Sequence, residues 1–561
     1  MVRSFLTAIG REVRGMHEAA YLLAVFALGS QLLALVRDRL LASQFGAGHT
    51  IDVYYAAFRI PDFLFATVAS LLSLYALLPV LSKLQAQNGG HTIAFLRSAL
   101  LTFFIVMGAL AAILFFLAPT LVALVAPGLA NDPATHADLL LLVRILLLQP
   151  IFLGASNILA ALTQLQNRFM LYAVSPLLYN LGIIVGIVWL YPEWGVAGLG
   201  WGVVLGAFLH MCLQLPFFFM EKSKPLPQGT FLPSFVEVLK LSVPRTLALA
   251  SGQISLMALI ALASLFATGS IAVFMFAWNL QSVPLAIIGV SYSVAAFPSL
   301  ARFHASGNRG EFVRHIEEAL RHVVFWSIPA IVLIVVLRAQ LVRVILGSGQ
   351  FDWDATRLTA AALALFVLSL AAQSISLLIA RGYYAAGRTK TPLLLGALSL
   401  IVTVLSAVLL VILFNSSATT REIVETLLRV SGGIGGTTVL MLAFAYTLGA
   451  LVQCVIGMIC FARDFDVSYI KLRTLLLQAS LAALVGGVMA YFALAFMGLL
   501  VDIDTVVGIV SQGVVGGLVG LATWVGILAL FKNQELYAAL AALQKRFRDT
   551  PKVALEPTDV S

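Results

Sequence analysis

Fourteen apolar runs of membrane-spanning length follow one another with little between them, at 19–36, 54–82, 95–126, 137–163, 170–191, 196–220, 234–267, 270–300, 322–347, 355–380, 391–414, 435–461, 474–499 and 505–531. About 20 apolar residues cross the hydrocarbon core of a bilayer as a helix, so a polytopic membrane protein is expected. In lipid every backbone N–H and C=O must be paired within its own segment or in a closed barrel, and continuous runs without period-two alternation select helices. The predicted fold is therefore all-α, with about 14 transmembrane helices. Composition agrees, since 61% of the 561 residues are hydrophobic and only 11% charged. The same figures disfavour a disordered chain, a disulfide-stapled module and a nucleic-acid domain, so no nucleic-acid partner is expected. Cys212, Cys454 and Cys460 lie inside apolar runs and read as core residues with no metal spacing.

Lysine and arginine give the orientation, because cytoplasmic loops collect positive charge. Arg3, Arg11, Arg14, Lys83, Arg97, Arg168, Lys222, Lys224, Arg302, Arg309 and the tail's Lys545, Arg546 and Arg548 share one side, whereas the connections at 127–136, 192–195, 268–269 and 500–504 carry none. Arg357, Arg421 and Arg429 are exceptions on the other side. Both termini are thus expected in the cytoplasm, with 1–18 a retained segment rather than a signal peptide. The stretch from Leu536 to Arg548 alternates apolar and basic residues and reads as a surface helix on anionic lipid.

An internal repeat is visible. Leu41-Ala42-Ser43-Gln44-Phe45-Gly46-Ala47-Gly48 resembles Leu262-Ala263-Ser264-Leu265-Phe266-Ala267-Thr268-Gly269 at an offset of 221 residues. Similar helix openings follow, and with a one-residue gap Arg59 matches Asn279. Six spans separate the copies, which predicts two parallel halves with a substrate site between them, as in many transporters.

Enzyme signatures are scarce, and neither a catalytic set nor a cofactor is expected. Gly432-Gly433-Ile434-Gly435-Gly436-Thr437 lacks the Gly-Lys-Ser/Thr ending of a phosphate loop. His315, Glu318 and His322 have a metal-like spacing but sit among Arg314, Arg321, Glu311 and Glu317, so a solvated face is expected and no metal site. The informative residues are charges at membrane depth, which cost about 2.5–3.5 kcal/mol each at a helix centre. They are Arg37, Asp38 and Arg39; Arg59 and Asp62; Arg144; Lys240 and Arg245; and Arg338 and Arg343. Arg59 and Asp62, three apart, can share a helix face as a self-neutralising pair or line a cavity. Arg144, Arg338 and Arg343 are expected to snorkel from outer helix ends. Arg245 follows Pro244 and is either an inner-side anchor or a phosphate-binding group. Pro61, Pro79, Pro150, Pro176, Pro244 and Pro284 mark candidate kinks.

Several strings together resemble the MurJ (MviN) lipid II flippase family, of the multidrug/oligosaccharidyl-lipid/polysaccharide exporter superfamily. They are Val36-Arg37-Asp38, Phe45-Gly46-Ala47-Gly48, Asp52, Ala57-Phe58-Arg59-Ile60-Pro61, Phe297-Pro298-Ser299-Leu300 and Gly382-Tyr383-Tyr384-Ala385-Ala386-Gly387-Arg388. The resemblance implies two six-helix lobes, here 1–221 and 222–470, an extra transmembrane pair at 471–531 and a cytoplasmic tail at 532–561. It also implies a non-enzymatic role in a bacterial inner membrane, turning a polyprenyl-pyrophosphate-linked peptidoglycan precursor between leaflets. The expected partners are that lipid-linked glycan and membrane lipids, with protein partners unknown. Substrate binding is expected from Arg37, Arg59, Arg245 and Asn279, and coupling or structural roles from Asp38, Asp52 and Asp62. After its proline the family usually carries an arginine pair, where this chain reads Asp62-Phe63-Leu64-Phe65-Ala66, and a family arginine is matched by Asn279. Export of another polyprenyl-linked glycan or an amphipathic drug, or a non-transporting scaffold, are the alternatives.

Overall fold

The computed structural model describes residues 16–72, 77, 80–85, 91–166, 168–220, 229, 231–430, 433–502 and 505–548. Arg3, Arg11, Arg14, Pro79, Lys222, Lys224 and the side chains of Pro244, Arg245, Lys545, Arg546 and Arg548 lie outside the described residues. Helices coincide with all fourteen apolar runs. In the first half they are α1 (Met16–Phe45), α2 (His49–Ala57), α3 (Arg59–Thr67), α4 (His91–Val125), α5 (Pro133–Leu146), α6 (Gln149–Leu165), α7 (Phe169–Val185) and α8 (Val196–Cys212). The second half supplies α9 (Phe231–Ala263), α10 (Ser270–Leu285), α11 (Ser291–Ala305), α12 (Arg309–Leu346), α13 (Trp353–Val367), α14 (Leu370–Ala385), α15 (Lys390–Ser416), the short α16 (Ala418–Leu428) and α17 (Val439–Phe465). Then come α18 (Ile470–Leu500), α19 (Val506–Leu530) and α20 (Gln534–Arg548). Among the described residues ten helices are long and apolar enough to cross a membrane, and α13 with α14, bent by 43°, makes an eleventh.

Three runs depart from a simple rod. Span 2 breaks at Phe58 between α2 and α3 and has a 3-10 turn at Ala69–Leu72. Pro61 has no N–H to give Ala57, so the backbone restarts there, with Asp62 N bonding Phe58 O at 2.8 Å. Spans 5 and 8 instead stay continuous through single π turns, Gly186–Leu190 and Ala286–Val290. The helices run on through Pro176 and Pro284, so those prolines do not break them.

Packing follows small residues. A Cβ on Gly186 would lie 2.6 Å from Gly202 Cα, so only glycine lets the π turn after α7 approach the α8 backbone this closely. Within the first half α8 packs on α5, α6 and α7, and α7 on α1; in the second, α17 packs on α13, α14 and α15, and α11 on α12 and α14. The pair α18–α19 packs internally and rests on α12. The halves meet where α10 touches α2, α12 touches α1, and α9 touches α3 and α4. Apolar residues continue across that seam, with Tyr55 edge-on to Phe276 at 5.8 Å and Phe276 edge-on to Phe351 at 5.7 Å.

The C-terminal helix differs from expectation. Glu535 in the first turn of α20 reaches Arg321 Nε at 3.0 Å and His322 Nδ1 at 3.4 Å on α12, and Leu536 is buried. At least its start is docked on protein rather than lying free on lipid, because Asn533 caps it and ties it to Gln478 at 2.7 Å.

Candidate functional site

The seam encloses a group of polar side chains drawn from both halves. On α1, Arg37 donates to Asp38 Oδ1 from Nε (2.9 Å) and Nη2 (2.7 Å), and from Nη1 to Asn180 Oδ1 on α7 at 3.0 Å. Every Arg37 nitrogen is therefore engaged. The second Asp38 oxygen accepts from Asn279 Nδ2 of α10 at 3.1 Å, and the same amide donates to the Tyr55 hydroxyl at 3.3 Å. Arg59 donates from Nε to the Tyr55 carbonyl at 3.2 Å and pairs with Asp62 at 3.4 Å. Gln149, at the start of α6, donates to the Tyr179 hydroxyl at 3.2 Å and borders the Asp62 carboxylate. Two residues related by the repeat, Arg59 and Asn279, thus meet at one tyrosine.

Lipid explains the pairing. An isolated charge at membrane depth is expensive, whereas two guanidiniums matched by two carboxylates have partners at once. Arg37 and Arg59 against Asp38 and Asp62 leave the cluster formally neutral. Gln149 Oε1 is buried with no partner among the described residues. The self-neutralising Arg59–Asp62 pair read from the sequence is present.

Asp52 stands apart, at the end of the seam near Gly46 and Gly269. Its oxygens accept from Gly269 N (2.6 Å) and Ala272 N (2.7 Å), so a carboxylate of α2 caps the N-terminus of α10. Gly269 has φ +89°, and a Cβ there would strike Ala47 O, which makes glycine obligatory. Beside it Gln350 N donates to Ser43 O at 2.9 Å, Gly128 N donates to Ser264 Oγ at 3.1 Å, and Arg39 of α1 reaches the Val344 carbonyl of α12. A cavity of about 640 Å³ opens here between His49, Asp52, Asp132, Thr135, Asp138 and Ser264. The Thr135 hydroxyl and amide both donate to Asp132, holding that carboxyl below the ordinary carboxylate range. Since the hydroxyl proton goes to Asp132, His49 Nε2, 3.2 Å from Thr135 Oγ1, is the donor. At the opposite end Ser70 and Thr246 hydroxyls lie 2.9 Å apart and Lys83 meets Glu237 at 3.6 Å.

Arg37, Asp38, Arg59, Asp62 and Asn279 are brought together as expected from their types; Asp52 is not among them, and the Arg245 side chain lies outside the described residues on α9. Arg144, Arg338 and Arg343 each donate to a protein carbonyl, of Phe115, Val335 and Phe351. His322 turns to Glu535, and the described residues hold no group of three metal-ligating side chains. Asn180, Gln149, Tyr55 and Tyr179 were missed. A scan for neutral polar residues in mid-run, rather than charges alone, would have found Asn180 and Gln149.

Two packed helical halves, an additional helix pair and a polar cluster on the seam define a polytopic membrane transporter of the exporter type. Solved structures of that fold include a lipid II flippase MurJ in an inward closed conformation, with TM-score 0.71, 21% identity, 91% of this chain and all of that chain. A multidrug resistance MATE family transporter of the MOP superfamily in an inward-facing conformation gives TM-score 0.62 and 12% identity over 78% and 94%. A family model, Lipid II flippase MurJ, matches residues 41–510. The chain belongs to the MurJ family. Curated relatives include the lipid II flippase MurJ of Burkholderia cenocepacia, 28% identical over 71% of this chain and 79% of that one. A probable lipid II flippase MurJ of Vibrio cholerae is 27% identical over 68% and 75%.

Proposed function

We propose that this protein is a lipid II flippase, carrying the polyprenyl-pyrophosphate-linked peptidoglycan precursor from the inner to the outer leaflet of a bacterial plasma membrane. The observation that carries the reading is family membership across residues 41–510, with Arg37, Asp38 and Arg59 of matching motifs gathered on the seam. The headgroup sits between two six-helix lobes, 1–221 and 222–470, while the prenyl tail stays in lipid. Arg37, Arg59, Arg245 and Asn279 face the cargo, and Asp38 and Asp62 neutralise the empty site. Asp52 holds the outer end shut. Charge bias in the loops supports cytoplasmic termini. The reaction is movement without covalent change, so the protein is a transporter and not an enzyme.

The test is depletion of the protein in cells followed by a leaflet-resolved assay of lipid II. Inner-leaflet accumulation is expected; its absence overturns the reading. A second reading, export of another polyprenyl-linked glycan, is favoured by the even charge balance of the cluster and by the absence of an arginine pair in Asp62-Phe63-Leu64-Phe65-Ala66 and of an arginine at Asn279. The same assay separates it, because lipid II would then stay evenly processed while another carrier-linked glycan accumulates.

A further inference from the structure

An incoming diphosphate finds no idle cation in this cluster. Arg37 spends all three nitrogens on Asp38 and Asn180. Arg59 is deeper, with its side chain 5% exposed, and Asp62 covers it with a side chain 29% exposed. A phosphate approaching Arg59 therefore meets a carboxylate first. Of the two pairs, Arg59–Asp62 is the one that can be parted. It is a single contact at 3.4 Å, against the doubled contact at 2.7 and 2.9 Å that ties Arg37 to Asp38.

Parting it has a cost that fixes the chemistry. Once phosphate oxygen occupies Arg59, Asp62 would be an unpaired carboxylate beside an anion in a poorly hydrated site, and both the lost partner and the like charge favour its neutral acid. The charged or titratable groups around it are Arg59 on its own helix, Arg37 and Asp38 on α1, Tyr54 and Tyr55 on α2, and Tyr179 on α7, with Asp38 already paired by Arg37 and Asn279. The packed α6 and the 3-10 turn carry no titratable residue. On the other helices packed against α3, Glu237 of α9 is taken by Lys83, Arg97 of α4 lies over Phe218, and Arg144 of α5 lies over Phe115. The remaining ones are His49 and Asp52 of α2, the latter taken by the Gly269 and Ala272 amides, Lys240 and Arg245 of α9, His91 of α4, and His136 and Asp138 of α5. No further acid on α3 stands ready to take the proton instead. Gln149 borders Asp62, and its Oε1 is buried without a partner among the described residues.

Resting on the flippase reading, we propose that Asp62 is a displaceable cover on Arg59: cargo phosphate takes Arg59, Asp62 swings away and takes one proton from solvent, and the proton leaves when the cargo does. At Arg59 one negative oxygen replaces another and the proton neutralises the displaced carboxylate, so one charge of the diphosphate is offset by uptake and the other travels with the cargo. Proton uptake is thereby tied to cargo binding.

The test is lipid II affinity of the full-length protein in nanodiscs, measured between pH 5.5 and 8.5 for wild type, Asp62→Asn and Asp62→Glu. Uptake of one proton makes wild-type affinity fall by up to about tenfold per pH unit on the alkaline side. Asp62→Asn should bind at least as tightly as wild type at pH 8.5 and lose that slope, and Asp62→Glu should restore it. A slope unchanged in Asp62→Asn overturns the cover while leaving the flippase reading standing. No lipid II binding by any of the three at any pH removes both, and normal binding of an undecaprenyl-linked non-peptidoglycan diphosphate in the same discs then identifies the other cargo.

Discussion

Asn279 Nδ2 lies 3.1 Å from Asp38 Oδ2, a hydrogen bond that joins α10 of the second half to α1 of the first at the level of the buried arginines. It is a neutral amide serving a carboxylate that Arg37 already neutralises from its other oxygen. The position accordingly tolerates an amide or a cation and rejects an anion.

Replacing Asn279 by aspartate sets two carboxylates about 3 Å apart and should lower flipping at least tenfold, because one of them must protonate or the seam must part. Asn279→Arg should retain flipping. Both are read by complementation of a depletion strain and by lipid II exposure on the outer leaflet. Equal activity of the aspartate variant would show that this bond is not part of the working site.

Asp52→Ala removes both acceptors that cap α10. Loss of a helix cap costs about 1–2 kcal/mol, which would raise the population of a parted seam roughly five- to thirtyfold. A cysteine placed at Ser270, which the closed seam buries, should then react faster with an impermeant thiol reagent than in the Asp52-containing parent. An unchanged rate would mean that the other seam contacts suffice.

Gly186→Leu forces side-chain atoms into the Gly202 backbone. Overpacking of this kind costs about 1–3 kcal/mol or more, so the purified variant should unfold several degrees lower, and Gly108→Leu, whose Cβ meets nothing within 4 Å, should not. Thermal unfolding in detergent by intrinsic fluorescence distinguishes the two.

Arg245→Lys separates a charge anchor from a phosphate-binding fork. Guanidinium offers paired donors where lysine offers a point charge, so a fork should lose about tenfold or more in lipid II affinity while yield and insertion stay unchanged. Wild-type flipping by both Lys and Gln variants would exclude the fork.

What could be read in the residues follows from what lipid penalises. Hydrocarbon thickness sets a minimum apolar length, so the fourteen helices were legible to within a few residues at most ends. Arg37, Asp38, Arg59 and Asp62 stood out because charge is expensive there, and the Arg59–Asp62 pair was legible because three residues is less than one turn. Asn180, Gln149 and Tyr179 carry no charge and little penalty, so nothing marked them until α6 and α7 were placed beside α1. The role of Asp52 was hidden for a different reason. Its partners are backbone amides 217 and 220 residues away, which have no side-chain signature at all. The docking of Glu535 on Arg321 was equally invisible, since a basic amphipathic stretch looks the same whether its first turn meets protein or lipid.

The π turn at Ala286–Val290 sets the phase of span 8. One residue more than an α-turn needs advances the helix by about 100°, so α10 and α11 present faces that a regular helix would not align. Asn279 points to the seam by the numbering before the bulge, whereas Ser293 and Leu300 follow the numbering after it. Insertion or deletion of one residue inside 286–290 therefore leaves a helix of almost the same length but turns one end against the other, like a key cut correctly on a twisted shank.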